Sequence, residues 1–400
     1  MDPLEVMEHL HKVKPVYHPI VSASKYEVIG HELYGMYGDD HRLDHFFRDS
    51  EVPDEFKVEV QKQLLEDALD AEIENEDGTY LFIHRSARHL LEDDEETLLR
   101  TLSDYEEKGF SMDRLVIEVM EHDFEEDFEA LHHLLLYYKT FGIKIAVQHS
   151  GASSSNIDLI RQLQPHILKI DARLIRNHYA DGLQDIMYTL QLLARRIGAA
   201  LLFENISESF ELQIAWKYGA DYYQGNYLAE PEDHLKSATL RASIEPSISG
   251  FIKREQKLIE KRLQFLNDWE KRIKNLLPKW EGEEKPEKFL SLAGQSFNEE
   301  SFRIFLCNEN GKQISSNLRK RKKEWKQEET AKDSNWAFRP YFLENVMLMK
   351  TWGRGLLSDT YADIETKELI RTFSFPVSKD CFIFIDISYS YIFDNECLLT

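Results

Sequence analysis

Seven short apolar runs in the first 230 residues share one design: each is β-type in composition, and most close on a polar or charged side chain. They are YEVIGHEL (26–33), YLFIH (80–84), RLVIEV (114–119), KIAVQH (144–149), ILKID (167–171), AALLFE (199–204) and DYYQG (221–225). Near-continuous apolar runs of this length are the pattern of strands buried on both faces. Helical patterns lie between them. The clearest puts Leu183, Ile186, Met187, Leu190, Leu193, Ala194 and Ile197 on one face, with Gly198 as its stop. That spacing predicts an amphipathic helix with a C-terminal glycine. Strand–helix alternation predicts parallel βαβ units. About eight strands in about 220 residues fit a (β/α)8-type barrel. A doubly wound open sheet is the alternative, but no Gly-rich phosphate loop follows an early strand.

In such a barrel the site is built at the C-terminal strand ends. Read in order, those ends are Glu32, His84, Glu118, Gln148 with His149, Lys169, Glu204 and Gln224. One polar strand tip is often only a solvated end. A series of them predicts a shared pocket. The tip Gln148-His149-Ser150-Gly151 stands at its middle.

Charge narrows the partners. The 400 residues carry 49 Lys+Arg against 72 Asp+Glu, a net charge of −23. That argues against nucleic-acid binding and against docking on an anionic membrane, while leaving room for a local basic pocket. Cys307, Cys381 and Cys397 are far apart, with neither metal spacing nor a disulfide framework, as expected in a reducing compartment. The first residues, Met1 to Glu5, have no signal-peptide pattern. No run approaches the roughly 18 apolar residues of a membrane span. A soluble, cytoplasmic protein is expected.

Composition divides the chain into a barrel (1–240), a connecting helix (241–290) and a smaller α+β domain (291–400). Ile252, Ile259, Leu266 and Ile273 recur every seventh residue, with Leu263, Trp269 and Leu276 as partners and Pro278 as the stop. A coiled coil and a helix packed on its own domain both satisfy that pattern. In the last block, SFRIFLCNENGKQI predicts a hairpin around Asn310-Gly311. The charged stretch Arg319 to Lys332 reads as a loop or solvated helix. A helical patch (Tyr341 to Lys350) and the strands IRTFSFPV and CFIFIDIS follow.

Five motifs in order resemble the EAL-domain family over about residues 10–235. HELYG stands for the Glu-Ala-Leu signature, IEVMEH for Glu-x-Thr-Glu, LKID for Leu-Lys-Ile-Asp, FENISES for Glu-Gly-Val-Glu and YYQGNYL for Gln-Gly-Tyr. The whole chain resembles EAL proteins that add a PAS/Cache-like domain. The resemblance implies a cyclic-di-GMP phosphodiesterase fold using Mg²⁺ or Mn²⁺. It implies metal contacts for Glu32 and Glu118, water positioning for Lys169 and Glu204, and ligand contacts for Glu32, Glu118 and Gln224. At other family positions the chain departs. His84 replaces an Asn ligand, Gln148-His149 an Asp-Asp pair, Met36 a phosphate-holding Arg, Met120 a Thr and Ser207 an acid.

These departures strike the mechanism. Mg²⁺ takes hard oxygen ligands, and a two-metal clamp needs carboxylates to compensate its charge. The expectation is a catalytically degenerate EAL signalling protein, a cyclic-di-GMP receptor or dimeric scaffold, with no cofactor. The alternative is an active phosphodiesterase with a rebuilt Mg²⁺ or Mn²⁺ shell. Two further readings of the site stay open. Glu118 and Glu204 serve as relics salt-bridged to Lys169, or His84 and His149 join Glu32 and Glu118 around Zn²⁺. In the last domain, Trp336, Arg339, Tyr341, Asp359 and Tyr361 resemble a Cache-like set that binds small carboxylates or amines; core aromatics with a structural ion pair are the other reading. Expected partners are cyclic-di-GMP, a small molecule at the last domain, a second copy of the chain and a protein partner.

Overall fold

A computed structural model describes the chain apart from residues 1, 39–40, 75–77, 94–96, 122–126, 150–156, 179–182, 236–238, 323, 340–341 and 399–400. Ser150, Gly151 and Tyr341 therefore lie outside the described residues. The chain divides into two units, Met1–Phe251 and Ile252–Thr400.

The first unit is a closed barrel. Its strands are β1 (Val13–Ser22), β2 (Val28–Tyr37), the short β3 (His41–Arg42), β4 (Tyr80–His84), β5 (Leu115–Met120), β6 (Lys144–His149), β7 (Ile167–Asp171), β8 (Ala200–Glu204) and β9 (Tyr222–Tyr223). The sheet runs β1-β9-β8-β7-β6-β5-β4-β2-β3, and β1 also pairs β2, which closes it. Neighbours from β2 through β4 to β9 are parallel. β1 is not: it runs antiparallel to both β2 and β9, against the all-parallel expectation.

β1 was also absent from the apolar runs, because Pro15 and Pro19 interrupt it. The strand tolerates both for a geometric reason. Tyr17 N–H bonds Glu232 O at 2.8 Å, on the side away from β2. Alternate residues of a strand point their N–H groups the same way, so the groups that Pro15 and Pro19 lack also fall on that side.

Alternation sorts the strand residues into two layers. Ile20, Phe82, Val116, Ala146, Ile167 and Leu202 pack together inside the barrel. Residues one step along, such as Leu81, Ile117, Ile145, Val147 and Leu168, pack into the larger cluster shared with the helices. The helix Leu183–Ile197 buries Met187, Leu190, Leu193 and Ala194 and ends at Gly198 with φ +74°. Ile186, expected on its inner face, is instead 43% exposed.

The second unit holds an antiparallel sheet of β10 (Ser301–Asn308), β11 (Asn317–Arg321), β12 (Glu324–Glu328), β13 (Leu356–Leu357), β14 (Tyr361–Ala362), β15 (Leu369–Pro376) and β16 (Cys381–Ile387). Its order is β12-β11-β10-β16-β15-β13, with β14 on β15. The predicted Asn310-Gly311 turn is present, with Gly311 at φ +79° and Cys307 bridged to Gln313. The charged stretch after Arg319 is a β-hairpin, not a helix. It lies at the sheet edge, where charged side chains on both faces hide the period of two. Helix Arg241–Leu276 buries Trp269 against Phe297 and Phe373, at ring distances of 4.7 and 5.2 Å. Its C-terminal half thus packs on its own unit, while Ile252, Ile259 and Leu263 stay exposed. Among the described residues no helix is long and apolar enough to cross a membrane.

Candidate functional site

The inner layer changes character at the C-terminal strand ends. There β2 brings Glu32, β5 Glu118, β7 Lys169 and β8 Glu204, while Gln224 follows β9 directly. All five are buried. Lys169 Nζ donates to Glu118 Oε1 at 2.7 Å and to Glu32 Oε2 at 2.9 Å, and lies 3.2 Å from Glu204 Oε2. Gln224 Nε2 donates to Glu32 Oε2 at 2.7 Å. Gln224 is held by the turn after it: at Gly225, φ +150°, an added Cβ would come within 2.1 Å of Ile206 O.

Three carboxylates surround one ammonium, and their protonation divides accordingly. Burial works to raise Glu32, but Lys169 and Gln224 outweigh it and hold the group at about 2. Burial, with Glu32's charge beside it, pushes Glu118 well above the carboxylate range. Burial also raises Glu204, against the pull of Lys169. Burial opposes the charge on Lys169, yet the three carboxylates hold it firmly protonated.

Gln148 and His149 part company. Gln148 faces the barrel mouth and donates its amide N–H to Glu204 Oε1. His149 is the next residue on the strand, so its ring takes the opposite face. Its Nδ1 lies 2.5 Å from Glu121 Oε2, and both residues are buried. The set of two imidazoles with Glu32 and Glu118 is therefore not assembled: His84 lines the mouth, and His149 does not. Among the described residues no three His, Cys, Asp or Glu side chains are gathered into a metal cage.

The mouth is a cavity of about 400 Å³ whose lining includes Glu32, His84, Met120, Gln148 and Glu204. It also includes basic residues that the strand-tip series did not reveal, among them Arg42 and Arg173. Arg42 has a legible origin. It pairs across the β2–β3 hairpin with Met36, and its guanidinium lies over the Tyr34 ring at 4.3 Å. Asp44 fixes it through a 2.7 Å ion pair. Ser207 donates its hydroxyl to buried Glu211 at 3.1 Å, within the cap of helix Ser209–Lys217.

With this geometry in place, likeness to known proteins is specific. Residues 4–231 match the EAL domain, and residues 234–399 match the EAL-domain associated signalling protein domain. The chain belongs to the EAL-domain family. It is 37% identical over 406 residues to the uncharacterized EAL-domain containing protein YkuI of Bacillus subtilis (strain 168), covering 100% of both chains. The crystal structure of that B. subtilis protein, in complex with substrate c-di-GMP and calcium, superposes with a TM-score of 0.93 over 100% of each chain. The FimX EAL domain from Pseudomonas aeruginosa, bound to c-di-GMP, has a TM-score of 0.51 at 17% identity, over 60% of this chain and 100% of that one. That second likeness is one of fold alone. In this EAL domain the signature strand is β2, which carries Glu32 inward and, near its end, pairs Met36 with Arg42.

The second unit has its own cavity, of about 110 Å³, lined in part by Trp336, Arg339 and Tyr361. Asp359 is not among the lining residues; it is exposed on the segment before β14. The acids that face the cavity include Asp363 and Asp386, bonded to Arg303 at 2.6 and 2.5 Å, with Glu365 3.5 Å from the same guanidinium. They come from two elements that only the folded sheet brings together.

Proposed function

We propose that the barrel is a catalytically degenerate EAL domain that binds cyclic-di-GMP as a receptor and does not turn it over efficiently. The observation that carries this reading is the division between Gln148 and His149. A neutral amide takes the place at the mouth, and the imidazole is committed to Glu121. Glu32 can offer a carboxylate oxygen to one hard divalent cation, and Glu118 can join it by giving up its proton as the ion binds. A second cation beside it would find only Glu204, which is already bonded to Gln148 and lies beside Lys169, so the residues fit one ion better than a two-metal clamp. Arg42 and Arg173 supply cationic groups at the mouth for phosphate oxygens.

The alternative, a working phosphodiesterase with a rebuilt shell, draws support from Lys169 and Glu204, which stay 3.2 Å apart. Calorimetric titration of cyclic-di-GMP, with and without Mg²⁺, Mn²⁺ or Ca²⁺, separates the two when linear product is followed in the same mixtures. Binding without product supports the receptor; metal-dependent turnover overturns it, and no binding overturns both. The exposed stripe of Ile252, Ile259 and Leu263 supports a homodimer, which sedimentation equilibrium tests.

A further inference from the structure

Tyr34 brings a hydroxyl to the barrel mouth with nothing to donate to. It lies two residues beyond Glu32 on β2, so its ring projects from the same inward face. It lines the mouth cavity and is half-buried. Among the described residues its hydroxyl makes no hydrogen bond. The Glu-Ala-Leu signature has leucine at this place, so a phenol here is a departure of this chain, like Met36 two residues on.

Neighbours hold the ring. The Arg42 guanidinium lies over it at 4.3 Å from the diagonal position on β3. Asp44 pins Arg42 in turn at 2.7 Å. The His18 ring, on β1, packs against it at 6.0 Å. A side chain fixed in this way loses little freedom on meeting a ligand.

Charge narrows what the hydroxyl can meet. Burial and the nearby Glu32 push the phenol well above the ordinary tyrosine range, against the pull of Lys169. It therefore keeps a proton to donate. The acids near it already have donors: Glu32 accepts from Lys169 and Gln224, Glu118 from Lys169, and Glu204 from Gln148. Besides His84 and His89, the charged residues lining the mouth are Arg42, Arg48, Arg85 and Arg173 against Glu32, Asp44 and Glu204. The Glu32 carboxylate is answered by Lys169 from behind, and burial raises Glu204. The balance at the mouth favours an anion. Arg173 acts on the phenol as well, while its Nε and Nη2 hold Asp171. An acceptor arriving at this hydroxyl thus arrives among guanidiniums. A phosphodiester oxygen, anionic and without a proton, fits that place.

We infer that Tyr34 is a ligand-binding residue, donating its phenolic O–H to a non-bridging phosphate oxygen of cyclic-di-GMP in the company of Arg42 and Arg173. The inference rests on the receptor reading of the same mouth. It gives the third signature position a task that leucine cannot perform. In a mouth that fits one cation better than two, a neutral donor meets phosphate that a single ion leaves unmet.

The test is calorimetry on the full chain and on Tyr34→Phe, with cyclic-di-GMP and with its analogues in which sulfur replaces one non-bridging oxygen of each phosphate. Tyr34→Phe keeps the ring under Arg42 and should bind cyclic-di-GMP about tenfold more weakly, the worth of one hydrogen bond to a charged group. Sulfur is a poor acceptor. Replacing the contacted oxygen should therefore cost the parent affinity and cost Tyr34→Phe less. Tyr34→Leu, the signature's own residue, loses the ring too and should bind more weakly still. Should Tyr34→Phe fail to fold, Tyr34→Leu decides by the same sulfur comparison. Unchanged affinity in the folded variant overturns the inference and leaves the receptor reading standing. Weaker binding with the full sulfur penalty retained puts the hydroxyl on some other group and also overturns it. No binding by the parent removes the receptor reading, and the inference with it.

Discussion

Lys169 and Glu118 meet at 2.7 Å in the barrel interior, and neither is reached by solvent. The contact is part of a cluster in which one ammonium holds three carboxylates together. Removing the ammonium leaves the ionised Glu32 buried without its counter-charge. Lys169→Met should therefore destabilise the protein by about 3–5 kcal/mol, the cost of breaking a buried ion pair from one side. Urea unfolding followed by far-UV circular dichroism measures it, and an unchanged midpoint would refute the role given to Lys169.

Arg42 supplies the mouth with a guanidinium opposite Met36. On the proposed function, Arg42→Ala should weaken cyclic-di-GMP binding about tenfold or more, from the loss of a charged phosphate contact. Met36→Arg, added to that variant, should recover most of the loss because the two positions are cross-strand neighbours. Calorimetry on the four proteins forms the cycle. Equal affinity in all four would show that neither position touches the ligand.

Gln148 tests the metal side. Gln148→Asp places an acid beside Glu204 and adds an anionic oxygen at the mouth. Without a cation the variant should be less stable than the parent. With millimolar Mn²⁺ its melting temperature should rise more than the parent's does, because the ion binds only the folded form. A variant that ignores Mn²⁺ would argue that the mouth lacks the remaining ligands.

Acid stability reports on the second unit. The folded pKa of Asp363 lies below its unfolded value, so it contributes stability above roughly pH 4. That contribution disappears as pH falls through the folded pKa. Asp363→Asn should cost stability at pH 7 and lose less of what remains on acidification, as seen in urea midpoints between pH 7 and pH 3. Parallel acid limbs would show that Asp363 is not held ionised by Arg303.

The strand tips were legible because a barrel repeats one rule. Each strand alternates in and out, and each inward tip reaches the same mouth. That repetition made Glu32, Glu118, Lys169, Glu204 and Gln224 readable as one set. The same rule separates His149 from Gln148, yet a strand tip can curl into a loop, and adjacent residues then share a site. Only the Glu121 contact decides where the imidazole goes. β1 was hidden by its prolines, which are harmless only because one edge of that strand has few partners.

The sequence by itself determined the alternation of buried strands and helices, the order of the polar tips, and the amide and imidazole at positions 148 and 149. These are local or periodic properties, carried by hydrophobicity and residue type. The tertiary structure decided which groups meet: Lys169 with three carboxylates, Arg42 across from Met36, and Asp363 rather than Asp359 in the second cavity. Such contacts join residues far apart in the chain or across a turn. Their partners are chosen by register and closure, which no single segment encodes.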